Sequence, residues 1–205
     1  MQKEIYTIGY SGFQEIGDFV DVLKKAGVNV LVDVRSSPYS SYFLPYNKDQ
    51  LKQTLRTQNI YYRNYAREFG AQQTDRRFFS PQGYLDFGLF SVSEPFRQGY
   101  RKVEEGLRQH YVFALMCAEK DPIDCHRSIM ISKNFSANGY TVLHLLPNES
   151  PISQCDIEAQ LLNKYFPNRD QLSFFETQLS EADLISEAYR KRNADIGYYL
   201  EEASA

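Results

Sequence analysis

Residues 4–34 read EIYTIGYSGFQEIGDFVDVLKKAGVNVLVDV, and the hydrophobic period changes twice along that stretch. Glu4–Gly9 (EIYTIG) has the character of a first strand. Ser11 and Gln14 stand at capping-box spacing, which predicts a helix opening there with Ile16, Val20 and Leu23 turned inward. Gly27 is placed to end it. Val28–Val34 (VNVLVDV) is a nearly continuous apolar run, as expected of a parallel strand buried on both faces. Strand, helix and strand in about 30 residues make a βαβ unit, which is right-handed as a rule.

The rest of the chain repeats that alternation. Ser36–Asn47 is a loop with two prolines, longer than the usual connection, and such loops in compact domains are often functional. Lys48–Gln58 has helical character and Ile60–Arg63 (IYYR) is a third strand. Residues 64–90 show weak periodicity and read as irregular, with short helical turns. Ser91 and Glu94 form a second capping-box pair, opening a helix to about Gln109. Tyr111–Cys117 (YVFALMC) is the strongest strand. A helix from Cys125 to Ala137 stops at Gly139, and Thr141–Leu146 (TVLHLL) is the last strand. Strands alternating with helices predict a three-layer α/β fold, with a mainly parallel sheet of about five strands and helices on both faces. We expect this domain over residues 1–149. Residues 150–205 form a helical C-terminal extension, packed on the domain or on a partner chain of a homodimer. One of its helices is capped by Ser180 and carries Leu179, Ala182, Ile185 and Ala188 along one face.

Composition narrows the function classes. The 205 residues contain no apolar run of about 18, so no membrane span is expected. The start lacks an apolar signal core, and three scattered cysteines fit a reducing compartment; both predict a cytoplasmic protein. Net charge is −3, which gives no global attraction to nucleic acid. Its distribution is uneven. Residues 176–205 hold seven acids and three bases, whereas residues 48–108 hold eleven Lys/Arg, seven Asp/Glu and eleven Tyr/Phe. Basic-aromatic composition suits base stacking and phosphate contact, but more commonly marks a solvated basic face over core aromatics. The opposite charges predict that the tail docks near residues 48–108.

In open α/β sheets, ligands bind beyond the carboxyl ends of the strands. That rule selects Tyr10 and Ser11 after the first strand, and Asp33 and Arg35 at the end of the second. It also selects Cys117 and Glu119 after the fourth, and Cys125, His126 and Arg127 where the next helix begins. Cys117, Cys125 and His126, completed by Glu119 or His144, would suit zinc or iron, although C-x₇-C-H is not a standard zinc-finger spacing. The same corner suits thiol chemistry, because a cysteine in a first helical turn has its thiolate stabilised by exposed N–H groups. Single residues also have plain structural readings: Cys117 as a buried hydrophobe, Ser11 as a cap, His144 as a satisfied core histidine, Cys155 as structural. Asp33 and Arg35 share one side of their strand. They form either an internal ion pair organising the 36–47 loop or a grip for phosphate or carboxylate. No G-x-G-x-x-G, Walker or C-x₅-R loop is present, which disfavours dinucleotide, P-loop and cysteine-phosphatase chemistry.

TIGYS at 7–11, VDVRSSPYS at 32–40 and LMCAEKDPIDCHR at 115–127, followed by His144, resemble the domain of unknown function 488 (DUF488) family over roughly residues 4–146. Where that family often shows Leu-Gly-Gly, this chain has Phe69-Gly70-Ala71. The resemblance implies an α/β fold and no particular activity. The residues themselves support a thiol-based or metal-dependent enzyme acting on a small anionic, nucleotide-like substrate. Cys117, Glu119, Cys125, His126 and Arg127 would carry the chemistry, while Tyr10, Ser11, Asp33 and Arg35 bind or orient. The alternative is a non-catalytic module that binds nucleic acid or a nucleotide through residues 48–108.

Overall fold

The computed structural model describes residues 3–147, 150–169 and 180–200. The first βαβ unit is β1 (Glu4–Gly9), α1 (Ile16–Lys25) and β2 (Val30–Asp33). Next come α2 (Lys48–Thr57), edge strand β3 (Tyr61–Asn64), short helices α3 (Ala66–Phe69) and α4 (Phe87–Ser91), and the long α5 (Glu94–Arg108). β4 (Phe113–Cys117) leads to a π-helical turn, Arg127–Ser132, continued by α6 (Lys133–Ala137), and then to β5 (Thr141–Leu145). β6 (Ile152–Ser153), α7 (Gln154–Tyr165) and α8 (Glu181–Ile196) follow.

The sheet order is β3-β2-β4-β1-β5-β6, parallel except for β6. Every residue of β2 and β4 is buried, as their unbroken apolar runs require. One face of the sheet packs on α1 and α2 through Phe19, Val20, Leu23, Leu51 and Leu55. The other packs on α5, the 127–137 helix, α7 and α8. Chain leaving β1 and β2 therefore turns to one face, and chain leaving β4, which lies between them, turns to the other. That reversal makes the carboxyl end of β4 a topological switch point, where such sheets open a crevice.

The sheet is mainly parallel as expected, and the two residues of β6, too short to leave a period, bring its strands to six by adding an antiparallel edge. Three local expectations are corrected. Ser11 does not cap α1. It sits in the 3₁₀ turn Tyr10–Gly12, and its N–H donates to the Ala118 carbonyl (3.0 Å), while α1 begins after Glu15 with no side-chain cap. Ser91 bonds back to the Gly88 carbonyl inside α4, so Ser93 caps α5 by accepting from the Phe96 N–H. The helix expected from Cys125 opens instead as the π turn.

The tail packs on the α5 side of the sheet. Ser180 caps α8 in a capping box with Asp183, as its sequence indicates. Its buried residues are Leu184, Ala188, Tyr189, Arg192 and Asn193; Ala182 is exposed, and Leu179 lies outside the described residues. Asn193 accepts from the Phe87 N–H (2.8 Å) and donates to the Leu85 carbonyl (2.9 Å). The tail thus reaches residues 48–108, but through the Asn193 amide and a backbone bond from the Leu85 N–H to the Tyr198 carbonyl (2.8 Å) rather than opposed charges. Its clearest ion pair to the sheet domain, Arg192 with Asp124, has the opposite sense to the expectation, with the base on the tail. Among the described residues, no helix is long and apolar enough to cross a membrane.

Candidate functional site

β4 presents Cys117 at its last position, beside Gly9 of β1 in register. The chain then runs through Ala118, Glu119 and Lys120 to a tight turn, Pro122–Asp124. Asp121 starts that turn by accepting from the Ile123 N–H (3.1 Å). The turn brings Cys125 and His126 back against the strand end. Cys125 is extended, its carbonyl accepts from Ser128 and Ile129, and its sulfur accepts from the Arg127 N–H (3.4 Å). It occupies the place of a helix cap, close to the sequence expectation.

Four donor atoms gather here, one each from Cys117, Glu119, Cys125 and His126, all within 4.8 Å of one another. The His126 Nδ1 faces Cys117 Sγ at 3.7 Å and Cys125 Sγ at 3.9 Å. Its Nε2 lies 3.2 Å from the Val34 carbonyl, which can only accept. Nε2 therefore carries a proton, and Nδ1 is the nitrogen turned to the sulfurs. Cys125 Sγ lies 2.9 Å from Glu119 Oε2, within hydrogen-bond distance. Both cysteines and His126 are buried, and Glu119 is the member open to solvent.

The cluster redistributes protons. Burial pushes the Cys117 thiol well up. For Cys125, burial acts in the same sense but is outweighed by the Cys117 thiol, the Arg127 charge and His126, so it falls well below the usual thiol range. Burial and then the Cys125 charge raise the Glu119 carboxyl. Burial works against a charged His126, yet Cys125 and Glu119 raise it. These shifts leave protons to be shared among the donor atoms, and a metal ion bound here would have to displace them.

Arg127, fully buried, ties the corner together. Nη1 and Nη2 donate to the Glu119 and Lys120 carbonyls (2.6 and 3.2 Å), and Nε to Thr7 Oγ1 (3.4 Å). The guanidinium is spent on backbone and hydroxyl acceptors. Thr7 in turn lies 2.7 Å from His144 Nδ1, its cross-strand neighbour, and His144 Nε2 is 2.9 Å from Gln154 Oε1. Gln154 Nε2 reaches the Tyr189 hydroxyl (2.7 Å). His144 is a satisfied core histidine, lowered to about 4 by burial and then by Arg127. Gly9 is obligatory for this arrangement: a Cβ there would stand 1.8 Å from the Glu119 carbonyl oxygen and 3.0 Å from Arg127 Nη2.

Asp33 and Arg35 form a separate assembly on the opposite face of the sheet, at the same end. Arg35 donates from N and Nε to Asp33 Oδ1 (3.1 and 2.9 Å) and from Nη2 to Oδ2 (2.6 Å). Nη2 also holds the Tyr46 carbonyl (2.8 Å), so the pair does organise the 36–47 loop. Arg35 lies 5.0 Å from the centre of the Tyr10 ring, which stacks on Tyr46. Its Nη1 is buried with no hydrogen-bond partner among the described residues. Val34 links the two assemblies, its carbonyl holding His126 and its side chain packing on the cysteine face. Ser11 is exposed and contributes only its backbone; Cys155, read from sequence as structural, is also exposed. Sequence reasoning missed Thr7, Gln154 and Tyr189. Thr7 left a signal, a polar residue at an inward position of β1; the other two lie far along the chain and left none.

A family model described as domain of unknown function DUF488 matches residues 15–133, more than half of the chain, covering Asp33, Arg35 and the whole Cys117–Arg127 segment. TIGYS at 7–11 and His144 lie outside the match. No curated protein and no solved structure matches the chain. With the α/β fold and the C-A-E…C-H-R corner in place, the match over residues 15–133 establishes that this chain belongs to the DUF488 family.

Proposed function

We propose that the chain is a metal-dependent enzyme, with zinc or iron held by Cys117, Cys125 and His126 and with Glu119 on the open side. The observation that carries this reading is the orientation of His126. The Val34 carbonyl fixes the ring, and Nδ1 points between two cysteine sulfurs; a backbone carbonyl behind the imidazole is the usual support of a metal-ligating histidine. The spacing fits as well. Tetrahedral zinc with bonds of about 2.3 Å to sulfur and 2.0–2.1 Å to nitrogen separates those ligands by about 3.6 Å, against 3.7 and 3.9 Å here. A bound metal would supply Lewis acidity and an activated water. Glu119, solvent-facing and two residues from Cys117, is positioned to exchange with that water or to move its proton. Burial of Cys125 argues against the competing reading of it as a nucleophile open to substrate.

The substrate class rests on Arg35, at the same end of the sheet but on its other face, whose buried and unpartnered Nη1 donor suits a phosphate or carboxylate that enters there. Metal-stripped full-length protein should bind cobalt(II) with a sulfur-to-cobalt charge-transfer absorption. Nucleoside monophosphates or inorganic phosphate should then perturb the cobalt d–d bands, and Arg35→Lys should weaken that response. A cobalt spectrum indifferent to every anion and to Glu119→Gln would mean a closed structural site and refute the enzyme reading.

A further inference from the structure

β3 forms one border of the sheet, and cations and aromatic rings crowd it from both faces. A cleft of about 290 Å³ on the α2 side is lined by Lys52, Arg56, Tyr61, Tyr62 and Arg63, with no acid. A second, of about 400 Å³ on the α5 side, shares Tyr61 and Arg63 and adds Tyr111, Lys102 and one acid, Glu105. Lys52, Arg56 and Arg63 are exposed, and none is in an ion pair among the described residues. Tyr61 is 55% exposed and Tyr111 36%. The Arg63 guanidinium lies 5.9 Å from the centre of the Tyr61 ring, and Tyr111 meets that ring edge-on at 6.3 Å.

We infer that this border binds single-stranded nucleic acid, with bases stacking on Tyr61 and Tyr111 and phosphates held by Lys52, Arg56 and Arg63. The inference is independent of the metal site. Edge strands do carry cations to prevent edge-to-edge pairing, but that protection requires charge and not exposed rings. A second copy of the chain would set three cations against three. An acidic peptide would use the charges and leave the tyrosines idle. A duplex hides its base faces. Stacking rings beside unneutralised cations match a strand whose bases are free.

The test is fluorescence anisotropy of the full-length, untagged chain with labelled ten-nucleotide oligothymidylate and oligouridylate. A duplex of equal length and poly-glutamate serve as competitors. Single strands should bind with a Kd of roughly 1–100 µM, and log K should fall with log salt at a slope of about −2, as three phosphate contacts give. Arg56→Glu with Arg63→Glu should weaken binding at least tenfold and flatten the slope. Tyr61→Ala should weaken it about tenfold with the slope unchanged. Both changes are on the surface, and an unaltered melting temperature confirms the fold. Tighter binding of one oligonucleotide would assign the site to DNA or to RNA. No saturable binding, equal affinity for duplex, displacement by poly-glutamate at equal charge, or indifference to the double variant would each overturn the inference.

Discussion

His144 shows how a single residue's surroundings set its chemistry. Free in the unfolded chain it titrates near 6.5, whereas in the fold burial and Arg127 hold it at about 4. Between those values the unfolded chain binds more protons, so stability rises with pH there. The contribution is whole above about pH 6.5 and lost as pH drops through about 4. The gap amounts to about 3 kcal/mol. Urea unfolding from pH 7 to 4 should show the wild type losing stability more steeply than His144→Gln; equal slopes would show that His144 does not carry the effect. Residue types were largely legible in the sequence. Cys117, Glu119, Cys125 and His126 meet as their shared rim implies, and Asp33 and Arg35 share one side because a strand alternates. Which side was not legible, since it depends on what packs there. Arg35 faces Tyr10 and Tyr46, away from the cysteines.

At the scale of elements, local signals succeeded where tertiary contact did not compete. Ser180 has its capping box with Asp183 at a helix start whose residues 180–183 are exposed. Ser11 has the same spacing but is drawn into a turn against Ala118, and Ser91 is used inside α4. No local pattern reports such contacts. The docking of α8 combines buried apolar residues with polar contacts from Tyr189, Arg192 and the Asn193 amide. Asn193→Ala would leave the Phe87 N–H and the Leu85 carbonyl unpaired in the interior. Each such group costs about 1–3 kcal/mol, so the variant should lower the urea midpoint, and hydrogen exchange should rise first along 84–87. A midpoint unchanged from wild type would mean that α8 is held without this contact.

Across the whole molecule, the order β3-β2-β4-β1-β5-β6 concentrates chemistry at one place. Alternating periods predicted the parallel α/β class, but not the insertion of β4 between β2 and β1, which arises from long-range pairing. That insertion sends neighbouring chain ends to opposite faces and joins the Cys117 corner, through Val34, to Arg35. It also runs a polar chain from Arg127 through Thr7, His144 and Gln154 to Tyr189, tying the corner to α8. The central claim is that this corner is a metal centre. Elemental analysis of untagged protein, purified without chelator, tests it most directly. The account predicts about one zinc or iron per chain, lost in Cys117→Ser with Cys125→Ser and kept in Cys155→Ser. Metal-free wild-type protein that takes up neither ion, or a double variant that keeps its metal, would contradict it.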